Sequence, residues 1–170
     1  ETVSEFAVLE GLFESGLEGD VMDELTRRVA HLVDSVPAST EAGIHLCYGD
    51  SGHKHFCEPK DASYLAEFAK AVLTYSQRPI DWIHLPVPKE RDDADYFKPL
   101  AGLNNGGRTE LYLGLVHTTG GMEGTERRID AAQNHVSNFG IATECGLARR
   151  GKETIPKLLD QHAILMKKSN

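Results

Sequence analysis

The order of apolar segments along the chain constrains the fold more than any other feature of the sequence. Short apolar segments suited to strands alternate with longer segments in which apolar residues recur every three or four positions. The first helical segment shows this spacing at Val21, Leu25 and Val29, and Pro37 follows it as a stop. The predicted strands are 41–47, 80–85, 110–117 and 139–145, and the predicted helices are 20–36, 61–75, 123–135 and 152–168.

This alternation predicts an α/β domain in which parallel strands are joined by right-handed helical crossovers. It contains about four strand–helix units. We interpret 3–9 as the end of an earlier strand and expect a further short helix near 96–100. The 170 residues are a usual length for one domain, so we take 1–170 as a single α/β domain. By its length, the chain also suits an open doubly wound sheet.

Candidate metal ligands lie where two of the predicted strands end. His45 and Cys47 form a His-x-Cys pair, and Cys145 lies at the end of the last predicted strand. Because the carboxyl ends of parallel strands meet at one face of a barrel, we expect these side chains to converge. One imidazole and two thiolates are typical of a zinc site with an open position. The third cysteine, Cys57, makes the count odd, which does not indicate a disulfide framework.

The charge balance excludes some partners. Twenty-six acidic and eighteen basic residues give a formal net charge of −8, which argues against non-specific binding to nucleic acid or to an anionic membrane. No apolar run approaches the roughly 20 residues needed to span a bilayer. The segment 1–5 lacks the basic start and apolar middle of a secretory signal, so we expect a cytoplasmic protein.

Four motifs follow one another along nearly the whole chain. The segment 43–48 reads Gly-Ile-His-Leu-Cys-Tyr, and 144–147 reads Glu-Cys-Gly-Leu. The strand 113–117 ends in a histidine, and 5–12 ends in Glu-Gly-Leu. Together these motifs resemble the C-terminal half of cobalamin-independent methionine synthase, a member of the barrel superfamily that includes uroporphyrinogen decarboxylase.

The resemblance implies the C-terminal half of a TIM (β/α)8 barrel, because a closed barrel typically takes about 250 residues. The first half is then missing from the sequence, supplied by another chain, or replaced by a second copy in a homodimer. The resemblance also implies that His45, Cys47 and Cys145 bind Zn2+ and that His117 is the catalytic acid.

Two positions depart from the family pattern. The family's fourth zinc ligand is a glutamate, and its place falls on Pro86, which cannot bind a metal. His84 lies two residues earlier on the same strand face and is the substitute we favour, with Glu144 as another candidate. The aspartate that anchors the amino group of homocysteine falls on Ser4, with Glu5 beside it.

The resulting expectation is a zinc-dependent methyl or alkyl transferase that activates a thiol, such as homocysteine, toward a methyl donor, such as methyltetrahydrofolate. His117 would protonate the leaving nitrogen. Glu5, Asp50 and Glu144 are the candidate substrate-binding residues. One alternative is a metal-free decarboxylase or lyase of the same superfamily. Another is a non-catalytic half-barrel that assembles with a partner.

Two other groups of residues belong to these alternatives. If the chain is a decarboxylase, the substrate carboxylates would be bound by Arg91, Arg149 or Arg150. The loop 52–58 contains two histidines and Cys57, which could form an independent metal site, although a loop that covers the substrate is the simpler interpretation.

Overall fold

The computed structural model describes residues 4–49, 55, 57–103, 108–148 and 150–168. Four parallel strands form one sheet in the order β1-β2-β3-β4, and helices alternate with them along the chain. The strands are β1 (Gly43–His45), β2 (Trp82–Pro86), β3 (Glu110–Val116) and β4 (Phe139–Thr143). The helices are α1 (Glu5–Leu9), α2 (Val21–Asp34), α3 (Ser63–Tyr75), α4 (Ala94–Phe97), α5 (Gly121–Gln133) and α6 (Ile155–Lys168), with a 3-10 helix at Lys98–Leu103.

The α/β class and the four parallel strands predicted from the sequence are confirmed. Each strand is added beside the previous one, so within the described chain the strand order never reverses. A doubly wound sheet contains a point at which the order reverses. The observed order is therefore that of a singly wound sheet.

The interpretation of 3–9 as part of a strand is wrong, because Glu5–Leu9 is a helix. Phe6 and Ala7 are buried from this short helix, and the Phe6 ring packs against Tyr48 and Phe68 rather than beside a sheet strand. The apolar run 6–9 is too short for its periodicity to distinguish a strand from a helix.

Local signals set the helix starts. The Asp20 carboxylate accepts a hydrogen bond of 3.1 Å from the Asp23 amide and caps α2. Asp61 accepts a hydrogen bond of 2.8 Å from the Ser63 amide, one residue before the N-cap of α3. Helix α5 begins two residues earlier than predicted, after Gly120, whose φ of 74° is a conformation that glycine adopts easily.

The two faces of the sheet differ in what covers them. Every strand residue in the main hydrophobic core comes from one face, which packs against the helices; these residues are Ile44, Ile83, Leu85, Leu113 and Leu115, flanked by Leu111, Phe139 and Ile141. The opposite face presents His45, His84, Tyr112 and Gly140 in one row across all four strands. A cavity of about 350 Å³ opens on that second face and is lined in part by Trp82, His84 and Ala142. Because this second face contributes no residue to the core cluster, we call it the open face.

Within the described ranges, no helix combines the length and apolar character that crossing a membrane requires.

A smaller apolar cluster joins α6 to the sheet through Val116, Leu158 and Leu165.

Candidate metal centre

The structure brings together the three side chains that the sequence identifies as metal ligands. One ligand atom from each of His45, Cys47 and Cys145 lies within 4.8 Å of the others, so this group could hold a metal ion. His45 is the last residue of β1, whereas Cys47 and Cys145 each lie two residues beyond a strand end. Both cysteines are buried and free of disulfide bonds.

This convergence depends on the shape of the sheet, because β1 and β4 are its two outer strands. Three inter-strand spacings of about 4.8 Å would separate those strands by about 14 Å in a flat sheet. The strand ends and the segments that follow them must therefore turn toward one another. His45 projects from the open face, so the ligand group lies on the side of the sheet away from the helices.

The donor set fits a thiophilic metal. Both ring nitrogens of His45 are buried and make no hydrogen bond of normal geometry within the described chain. A buried imidazole without a partner is costly, and a bound cation would satisfy it. The neighbouring Cys47 and then the neighbouring His45 lower the pKa of the Cys145 thiol well below its ordinary value, so the site favours the thiolate that metals bind.

His84 lies against this group without joining it. The His84 ring stacks on the His45 ring with 4.6 Å between centroids and 25° between planes. Burial and the neighbouring His45 lower the pKa of His84 to about 4, and its Nε2 is buried without a partner. His84 is therefore a neutral imidazole beside the candidate ligands, and its role as the fourth ligand stays a prediction. Pro86 ends β2.

His117 follows β3 and is held in one tautomer by the backbone. Its Nε2 lies 2.8 Å from the Val87 carbonyl oxygen and 3.1 Å from that of Gly114. Because a carbonyl oxygen can only accept, Nε2 carries the proton and Nδ1 is the unprotonated nitrogen. Burial lowers the pKa of His117 to about 4, against a raising effect from Glu144. Near neutral pH this side chain is therefore uncharged.

Glu144 connects His117 to His55, a histidine of the loop that the sequence predicts to cover the substrate. The Glu144 Oε2 atom lies 3.7 Å from Nδ1 of His117, and Oε1 lies 2.8 Å from Nε2 of His55. Burial lowers the pKa of His55, but the Glu144 and Glu58 carboxylates outweigh it, so the net pKa is raised. His55 thus belongs to a histidine–carboxylate–histidine group beside Cys145. Cys57, from the same loop, is not among the described residues that converge on the metal group.

The remaining candidate residues lie outside the group formed by His45, Cys47 and Cys145. The Glu5 carboxylate accepts a hydrogen bond of 3.0 Å from the Ser4 amide at the start of α1, next to Phe6, whose ring touches Tyr48. Its substrate-binding role stays a prediction. Asp50, His53 and Arg149 lie outside the described residues.

Arg91 is already engaged in the fold. Its guanidinium pairs with Asp93 at 2.7 Å and donates to the carbonyl oxygens of Pro59 and Lys60. It also lies over the Tyr96 ring. This engagement counts against Arg91 as a substrate anchor.

Sequence reasoning missed two buried polar groups that support the site. The Tyr96 hydroxyl donates to the Pro86 carbonyl oxygen at 3.0 Å and lies 3.0 Å from the Tyr48 hydroxyl, which ties the end of β2 to the residue after Cys47. Arg128 is 2% exposed and donates to the carbonyl oxygens of Leu115 and Lys89, both at 2.8 Å. Its position on the buried side of α5, among small residues, was the only sequence signal for it.

No protein-family model matches the chain, and no curated protein matches it.

Proposed function

We propose that the chain is a zinc-dependent transferase that moves a methyl or alkyl group to a thiol, in the manner of cobalamin-independent methionine synthase. The observation that carries this proposal is the group formed by His45, Cys47 and Cys145. Two thiolates and one imidazole are ligands that zinc prefers, and three protein ligands are the number found in catalytic sites, where a position is left for substrate. When bound, zinc would lower the pKa of a coordinated substrate thiol, so that a thiolate forms near neutral pH.

His117 and Glu144 would supply the proton that the methyl donor requires. A reduced folate such as methyltetrahydrofolate loses its methyl group from a nitrogen that is a poor leaving group until it is protonated. The Nε2–H of His117 is committed to backbone carbonyls, so a transferable proton would have to reside on Nδ1, which faces Glu144. The carboxylate would stabilise the imidazolium formed there. In this role Glu144 acts through His117, and contact with substrate is not needed.

The barrel interpretation is supported by the open face and by the strand order. Parallel sheets are normally covered on both faces, and here only one face packs against helices in the described chain. In a closed barrel the open face would line the interior, where the side chains of all strands meet. A second half-barrel, from the same longer chain or from another copy, would close that interior and complete the binding sites for the thiol and the methyl donor.

The proposal is tested by the metal content of protein purified in metal-free buffers and reconstituted with zinc. We expect about one zinc per chain in the wild type, and loss of most of it in Cys47→Ser and Cys145→Ser. Cys57→Ser is the matched control and should keep the metal, because Cys57 is outside the ligand group.

A second readout reports the open position directly. Cobalt substituted for zinc should give thiolate charge-transfer bands that change when homocysteine is added. Wild-type protein that binds no zinc would contradict the proposal and favour the metal-free decarboxylase alternative. Zinc that survives both cysteine substitutions would show that the metal binds elsewhere.

A further inference from the structure

A small polar cavity lies beside the candidate metal centre, and the proposed transfer reaction does not use most of it. Its volume is about 170 Å³, below the 300–1,000 Å³ usual for a whole drug-sized ligand. It is lined by His55, Lys89, His117, Thr118, Thr119, Glu144 and Arg150. None of the three candidate metal ligands lines it, so its chemistry can be considered separately from the metal.

The two basic side chains of the cavity are the feature that needs explanation. Across the described residues, neither Lys89 nor Arg150 forms an ion pair with a carboxylate, although most other described arginines do. The Nε atom of Arg150 is buried and has no hydrogen-bond partner in that part of the chain. An unsatisfied, buried guanidinium nitrogen costs free energy unless a ligand accepts from it. The Glu144 carboxylate in the same cavity lies against His55 and His117 instead.

The basic and hydroxyl residues of the cavity come from segments that follow three different strands. Lys89 follows β2, Thr118 and Thr119 follow β3, and Arg150 follows β4. The two threonines directly precede Gly120, the N-cap of α5, a 13-residue helix whose start carries partial positive charge. Hydroxyl, ammonium and guanidinium donors thus approach one small space from separate loops at the carboxyl ends of the strands, where parallel α/β folds bind ligands.

We infer that this cavity binds a tetrahedral oxyanion, the phosphate or sulfonate group of a small ligand. Donors that approach from three loops can reach the four oxygens of a free tetrahedral anion, or the three oxygens of a tetrahedral group that is attached to the rest of a ligand. A planar carboxylate, in contrast, would be bound by one guanidinium. The volume accommodates only the anionic group, so the rest of the ligand extends out of the cavity. The inference does not depend on the bound metal.

The test is calorimetric titration of the metal-free full chain with inorganic phosphate, with methanesulfonate and with acetate, at constant ionic strength. We expect saturable binding of one phosphate per chain, weaker binding of methanesulfonate, which has a single charge, and no saturable binding of acetate. Arg150→Gln should weaken phosphate binding roughly tenfold, as expected for the loss of a charge-assisted hydrogen bond. Lys89→Gln should weaken it several-fold, and because Lys89 is exposed its substitution will not disturb folding.

Lys157→Gln is the control, because it removes the same charge from an exposed position on α6. Phosphate binding weakened equally by all three substitutions would show a general charge effect and overturn the inference. The absence of saturable phosphate binding to the wild type would overturn it as well. Acetate that binds as tightly as phosphate would overturn the preference for a tetrahedral anion.

Discussion

His117 shows how a backbone can decide the chemistry of a side chain. The carbonyl oxygens of Val87 and Gly114 accept from Nε2, and burial makes a second proton on Nδ1 unfavourable, so the neutral form is the stable one. Glu144 is the nearby group that favours the charged form. A proton carried by this imidazole would therefore be readily released, which suits an acid that protonates a weakly basic nitrogen.

The same burial predicts a stability change with pH. The pKa of His117 is about 4 in the fold, against an ordinary value of 6.5. The unfolded chain therefore binds the proton more tightly, and the stability contributed by the neutral form is fully present above pH 6.5 and is lost as the pH falls through about 4. For this residue alone we expect a loss of about 2 kcal/mol between pH 7.5 and pH 5.

Urea unfolding of His117→Gln measures this contribution, because glutamine offers an uncharged N–H donor of similar reach. The variant should lose less stability than the wild type on acidification, by about 2 kcal/mol. His31→Gln, at an exposed position on α2, should follow the wild type. If the stabilities of His117→Gln and the wild type depended on pH in the same way, the pKa of His117 would not be lowered in the fold.

At the scale of the elements, the placement of Cys145 depends on how closely β3 and β4 approach. A Cβ atom added to Gly114 would lie 2.7 Å from Glu144 Cα and 3.1 Å from the Thr143 carbonyl oxygen. These are backbone atoms, which cannot move aside as a flexible side chain can. Gly114 therefore allows the end of β4, and with it Glu144 and Cys145, to lie close over β3.

We predict that Gly114→Ala lowers the free energy of unfolding by about 1–3 kcal/mol, the usual cost of overpacking. It should also weaken zinc binding, because the shift moves Cys145 relative to His45. Gly146→Ala is the matched control: Gly146 follows Cys145 directly, and an added Cβ there meets nothing within 4 Å. Denaturant unfolding and zinc titration measure both effects. Equal behaviour of the two variants would show that the contact at Gly114 does not position the metal ligand.

How far the sequence predicts these elements depends on how many local signals agree. Helix α2 has an N-cap at Asp20, a regular apolar face and a proline after its end, and its predicted bounds differ from the observed ones by one or two residues. The predicted strand 139–145 ends two residues too late, and 41–47 is two residues too long at each end. After β1 the apolar run continues through the buried residues Leu46 and Cys47, so the sequence pattern does not mark where the strand stops.

The candidate site also has a part that the sequence predicts and a part that it does not. His45, Cys47 and Cys145 were predictable because each lies at or just beyond the end of a recognisable strand and the ends of parallel strands converge. The contact of His55 with Glu144 was not predictable, because the segment between Cys47 and α3 has no periodicity that fixes its path. The cavity at Lys89 and Arg150 was equally hidden, since its residues come from segments that follow all four strands.

At the scale of the whole molecule, the described sheet has two unpaired edges and one uncovered face. Strands β1 and β4 each have a neighbour on one side only. The open face carries aromatic and imidazole side chains, with Trp82 lying over Gly43 and Tyr112 over Gly140. Unpaired parallel edges beside such a face favour association with another sheet.

We predict that the isolated chain forms a homodimer through its open faces, with two half-barrels closing on each other. Light scattering across a range of protein concentrations should give twice the mass of the chain. Ala142→Arg should abolish the dimer, because Ala142 lines the cavity on the open face and a charge there would be buried in the closed interior. Leu159→Arg, on the outer side of α6 where Leu159 is 55% exposed, should leave it intact. A mass of one chain at every concentration would contradict the predicted homodimer. A dimer that is broken by Leu159→Arg but not by Ala142→Arg would place the contact on α6 instead of the open face.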